Sequence, residues 1–127
     1  MIQKEVTIAS KKVNLAYCYA TEIAFKDLSG EDISDFIKDA YISINDSKMP
    51  DAKKCIYAIL AAILAYSNAK NEDAPVSDND IMNNATPEEV GNAIGTIITL
   101  RAQFYHIPTG EEDKDKEEKP DEKEKNA

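Results

Sequence analysis

The run Cys55-Ile56-Tyr57-Ala58-Ile59-Leu60-Ala61-Ala62-Ile63-Leu64-Ala65-Tyr66 constrains the fold more than any other part of the chain, because it holds no charge, no glycine and no proline. Pro50 and Asp51 mark its start, and the polar run from Ser67 to Glu72 its end. At about 100° per residue, Ile56, Ile59, Leu60, Ile63 and Leu64 share one broad helical face, while Ala58, Ala61, Ala62 and Ala65 cover the other. A helix that is apolar all round is buried, so other elements have to enclose this one. The alanine face has little bulk and lets one neighbour approach closely; the bulky face fills the rest of the core. Alanine content and helix-length flanks argue against a buried strand. The run also falls short of the ~18 apolar residues that a membrane span requires.

The segments around it read as those enclosing elements. Val6 and Ile8 alternate with Glu5 and Thr7, and Val13, Leu15 and Tyr17 alternate again after Ser10-Lys11-Lys12, which predicts a β-hairpin. Such a hairpin is marginal alone and needs helices on its apolar face. Ala20, Ile23, Ala24 and Leu28 then keep helical spacing up to Ser29-Gly30, where glycine accepts the left-handed conformation common just past a helix. Ile33, Phe36, Ile37, Ala40, Tyr41 and Ile44 predict a second helix from about Asp32. Pro50 suits the first turn of the central helix, which runs to about Lys70. Ser77, with Asp80 three residues on, predicts a capped short helix over 78–83. Thr86-Pro87-Glu88-Glu89 combines an N-cap threonine, a first-turn proline and a glutamate at the third position. The helix it opens reaches about Tyr105, with Val90, Ala93, Ile94, Ile97, Ile98, Leu100 and Phe104 as its apolar stripe. Gly91 and Gly95 sit one turn apart beside that stripe. Each costs about 1 kcal/mol of helix propensity relative to alanine, which predicts a close contact, assigned here to the alanine face of the central helix.

From Pro108 onward the character changes, and Glu111–Lys125 is nearly all Glu, Asp and Lys. Nine acidic residues against five lysines leave a charge of −4 from Glu111 on, and −5 in residues 1–110. Nothing apolar there offsets the entropy of ordering, so 108–127 is expected to be a disordered tail. The expected architecture is α+β, mostly α: a short N-terminal hairpin on a bundle of about four to five helices spanning 1–107.

Function classes narrow by what is scarce. With 24 acidic and 15 basic residues, and Arg101 as the only arginine, the chain lacks the clustered cations that nucleic acid requires. His106 is the only histidine and lies at a helix end, where a dipole contact is the ordinary role; a Ser or Cys nucleophile is left without a base. Acidic pairs such as Glu88-Glu89 lie on solvated faces, unlike catalytic carboxylates. Cys18 and Cys55, in apolar surroundings after an alternating rather than apolar N-terminus, read as buried thiols in a reducing compartment. The expectation is a non-enzymatic binding module with no cofactor, no metal, no nucleic acid partner and no membrane partner. Six tyrosines in a chain without tryptophan fit either core-edge packing or a protein-binding surface. Tyr17 and Tyr19 continue the apolar face of the second strand; Tyr66 and Tyr105 end their helices and are the better surface candidates.

The order of pieces resembles that of the tail assembly chaperones of long-tailed bacteriophages. The resemblance spans about residues 3–107. It rests on the Lys4–Tyr17 hairpin, the helix-Gly-helix stretch Thr21–Phe36, the Ala/Ile/Leu-rich central helix followed by Ser77-Asp78-Asn79-Asp80-Ile81, and the last amphipathic helix running into a Glu/Lys-rich tail. It implies a non-enzymatic chaperone in the cytoplasm of the bacterial host, absent from the mature virion. Such a chaperone coats the helical tape measure protein and gives way as tail tube protein polymerises. A homo-oligomer is compatible with that role. Apolar grooves shielded by negative charge suit such a partner. The expected groove is lined by the bulky face of the central helix or by the last helix, through Ile63, Ile98 and Phe104, with Tyr66 and Tyr105 at its rim. The alternative is a structural head–tail adaptor or tail-ring component retained in the virion.

Overall fold

The computed structural model describes residues 1–107; the tail expected over 108–127 lies outside them. Strands β1 (Ile2–Ile8) and β2 (Lys11–Tyr17) form an antiparallel hairpin, followed by helices α1 (Tyr19–Ser29), α2 (Ile33–Asn45), α3 (Ala52–Ala69), α4 (Asp78–Asn84) and α5 (Pro87–Tyr105). The α+β, mostly α architecture is the one anticipated. Val6 pairs with Val13, Lys4 with Leu15 and Ile2 with Tyr17. That register puts Val6, Ile8, Val13, Leu15 and Tyr17 into the core, as period-two alternation requires.

The hairpin turns on Ala9-Ser10, both at positive φ (52° and 67°). This is the two-residue, doubly left-handed geometry whose twist suits a hairpin, although asparagine and glycine are its usual residues. The turn lies one or two residues earlier than Ser10-Lys11-Lys12, and Glu89 holds it in place. The Glu89 carboxylate accepts from the N–H groups of Ala9 (3.0 Å) and Ser10 (3.3 Å). It also accepts from Thr86 N–H (3.0 Å), while Thr86 Oγ1 accepts from Glu89 N–H (3.1 Å). One side chain thus closes the capping box of α5 and ties that helix to the hairpin turn. The smaller box is also formed: Ser77 Oγ accepts from Asp80 N–H, and Asp80 from Ser77 N–H.

These contacts have a pH signature. The Thr86 N–H, with those of Ser10 and Ala9, holds the Glu89 carboxyl below its ordinary 4.5; the Ser77 N–H holds Asp80 below 3.8. A folded-state pKa below the unfolded one contributes stability above the unfolded value, lost as pH falls through the folded one. Thermal stability should therefore hold from pH 7 to about 5 and fall below about 4.5. Glu89→Gln should lower the melting temperature at pH 7 and flatten that acid decline, which melts between pH 3 and 7 will check.

Helix α3 is the pillar that its sequence implies. Cys55, Ala58, Ile59, Ala61, Ala62 and Ile63 are fully buried, and Ile56, Tyr57 and Leu64 half-buried. It packs on α1, β2, α5 and α4, while α5 runs along β1. The glycines of α5 are not part of this enclosure. Apart from the helix's own adjacent backbone, no atom lies within 4 Å of a Cβ built at Gly91 or Gly95. Both face an open groove of about 460 Å³ with Gln3, Lys4 and Thr99. The predicted contact with the alanine face is therefore corrected: the glycines lie on the outer side of α5. Gly95→Ala should stabilise the domain by about 1 kcal/mol, because it gains helix propensity and meets no obstacle. A lowered melting temperature would contradict that open placement.

Two apolar stripes also sit differently from expectation. In α1 the buried side chains are Thr21 and Phe25, with Ala24 and Leu28 half-buried, while Ala20 and Ile23 face outward. In α2, Ile33, Phe36, Ile37 and Ala40 are buried, but Tyr41 and Ile44 are exposed. Helix α2 is anchored through its first half, with Phe36 against Phe25 at 5.5 Å between ring centroids. In its second half Ala40 is still fully buried, while Tyr41, Ile42 and Ile44 are exposed. Both cysteines are free; Cys55 is buried, whereas Cys18, expected to be buried as well, is only partly so.

Candidate functional site

Helix α5 starts at the hairpin turn and ends at the open end of the hairpin, where β2 passes into α1. That junction gathers four aromatic rings. Phe104 lies 5.6 Å from Tyr17, 5.2 Å from Tyr19 and 4.9 Å from Tyr105, centroid to centroid. The Tyr19–Phe104 and Phe104–Tyr105 pairs meet edge to face, the arrangement that ring quadrupoles favour. Thr21 fixes the junction: its hydroxyl donates to Ala16 O at 2.8 Å and accepts from Cys18 N–H at 3.2 Å.

Glu22 is the polar centre of this cluster. Its Oε2 accepts from Tyr17 Oη at 2.8 Å and from Tyr105 Oη at 2.5 Å, joining β2, α1 and α5 through one oxygen. Burial, with the bond to Glu22, pushes the Tyr17 phenol well above its ordinary value. The bond to Glu22 is the main cause that pushes Tyr105 up to about 12. Both phenols are therefore protonated donors at neutral pH. Arg101 stacks on Tyr105, with Cζ 5.3 Å from the ring centroid, and its Nη2 donates to Ser34 Oγ at 3.2 Å. Its Nε is buried without a hydrogen-bond partner among the described residues.

Side chains expected at a binding surface separate into three groups. Tyr105 and Phe104 belong to the aromatic cluster, and Tyr105 is 40% exposed. Ile98, half-buried, lies two turns earlier on the Tyr105 side of α5. Ile63 is fully buried in α3, whereas Leu60 and Leu64 of the same bulky face line an open groove of about 410 Å³ with Ala74 and Val76. Tyr66 lines a different cavity, of about 230 Å³, with Lys12, Asn14 and Pro75 near the turn half of the hairpin. Tyr66 and Tyr105 therefore do not rim one groove.

Sequence reading set Tyr19 and Ile23 on core-facing stripes and gave Glu22 no role. Tyr19 and Ile23 are 64% and 62% exposed and lie one turn apart on α1, flanking Glu22. Their spacing was visible, but it was assigned to the core. The pairing of Glu22 with Tyr105 spans 83 residues, and no local pattern signals it. Among the described residues, no three His, Cys, Asp or Glu side chains are grouped to hold a metal ion, and no helix is long and apolar enough to cross a membrane. The arrangement offers a polar carboxylate framed by exposed rings and aliphatic surface. Compared with known proteins, the chain matches no family model, no curated protein and no solved structure.

Proposed function

We propose that this chain is a non-enzymatic chaperone of phage tail assembly that binds the tape measure protein until tail tube protein encloses it. The observation that carries the reading is the apolar surface left outside a fully formed core. Tyr19 and Ile23 on α1, Tyr41, Ile42 and Ile44 on α2, and Tyr105 on α5 are exposed on a domain of net negative charge. Large apolar side chains left exposed in this number offer surface that another polypeptide can cover. The acidic surface keeps the free chaperone and its complex soluble. The hairpin-then-helices order is the one on which the resemblance rests. Many copies along a long partner make each contact weak and the sum strong, which suits a protein that must later be displaced.

Mass spectrometry of infected cells and of purified virions tests the proposal. The chain should be abundant in the cells and missing from the particles. Recovery in virions at a fixed copy number would identify it as a head–tail adaptor or tail-ring component instead.

A further inference from the structure

We infer that the Glu22 cluster is a receptor for a lysine side chain carried on an amphipathic helical segment of the partner. The inference rests on the chaperone reading for the partner's identity, and on the cluster itself for the chemistry. An ionised carboxylate offers about four acceptor positions. The two phenols use two of them, both on Oε2, and Oε1 has no donor among the described residues. The ion pairs found there are Lys26–Asp32 and Lys54–Glu31, so Glu22 has no cationic partner, and Arg101 turns to Tyr105 and Ser34 instead. The two phenols hold the carboxylate in one orientation, so little rotamer freedom remains to be lost on binding.

Tyr105 reaches Glu22 through its hydroxyl, and the partly exposed Tyr105 and exposed Tyr19 rings both pack edge to face on Phe104; such π-systems attract a cation. Ile23, one residue on, offers aliphatic surface to the apolar side chains of the incoming helix. A guanidinium binds a carboxylate best through both oxygens in a fork. With Oε2 committed to the tyrosines, the fork is blocked and the single oxygen suits an ammonium. The cluster therefore favours lysine over arginine.

The test uses the full chain and a fluorescently labelled 18-residue helical peptide of leucine, alanine and one central lysine, read by anisotropy. Companion peptides carry norleucine, glutamate or arginine at the central position. The lysine peptide should bind about tenfold tighter than the norleucine peptide and no weaker than the arginine one, with the glutamate peptide weakest. Glu22→Gln, which keeps an acceptor for the phenols, should erase the lysine preference. Tyr19→Ala, at a largely exposed ring, should weaken binding of every peptide. Met82→Ala, at an exposed site on α4, should change nothing; thermal melts establish that each variant is folded. Equal binding of the lysine and norleucine peptides, tighter binding of arginine, or unchanged lysine binding by folded Glu22→Gln and Tyr19→Ala overturns the inference. None of these results bears on whether the chain keeps the tape measure protein soluble, which is measured separately.

Discussion

Ala61→Trp should lower stability by about 3 kcal/mol or more. Ala61 is fully buried, as are Ala58 and Ala62 beside it and Ile59 and Ile63 around it. A close-packed interior has no space for an indole. Overpacking by even a few methylenes costs about 1–3 kcal/mol, and the change from a methyl group to an indole is far larger. In a domain of this size each kcal/mol moves the melting temperature by roughly 4–8 °C, so a calorimetric scan will resolve the effect easily. Gly95→Ala, also on a helix but on the open side of α5, should move the transition the other way. Opposite signs from two small-residue positions would separate the enclosed helix from the open groove. A melting temperature unchanged by Ala61→Trp would mean that the alanine face of α3 is not buried.

Phe25→Ala should cost about 3–5 kcal/mol. Phe25 is fully buried, stacks against Phe36, and belongs to the helix that packs most broadly on α3. Its removal takes away the anchor of the first half of α2 as well as its own burial. The loss should appear both as a lower melting temperature and as faster amide exchange through α2. By contrast, Ile23→Ala, on the exposed side of the same helix, should shift the melt by less than about 0.5 kcal/mol. If the two substitutions had equal effects, α1 would be rotated from the orientation described.

The residues that were legible in advance act locally. Ser77 with Asp80, and Thr86 with Glu89, form their capping boxes because each partner lies three residues away, within reach of a single helical turn. Gly30 ends α1 at φ 78° for an equally local reason. The uncharged run in α3 was legible because a helix apolar on every side has only one stable environment. Orientation was harder. Helix α1 carries two overlapping stripes, Ala20-Ile23-Ala24-Leu28 and Thr21-Phe25-Leu28, and periodicity alone does not choose between them. The choice is made by β2 and α3, since Thr21 reaches Ala16 O and Phe25 enters the core. Gly91 and Gly95 misled for a related reason: small residues permit a close neighbour but do not supply one. Tyr66 and Tyr105 both end helices, yet α3 and α5 end at different parts of the hairpin, so equal sequence positions became separate surfaces. The Glu22 cluster depends on Tyr17 and Tyr105 arriving at one oxygen from distant parts of the chain.

Co-expression with a fragment of the tape measure protein tests the chaperone proposal most directly, with the fragment's distribution between soluble and pelleted fractions measured as the dose of this chain is raised. The fragment should move into the soluble fraction in proportion to the chain and co-elute with it in size-exclusion chromatography. A fragment that pellets equally at every dose, or stays soluble without forming a complex, would contradict the proposal.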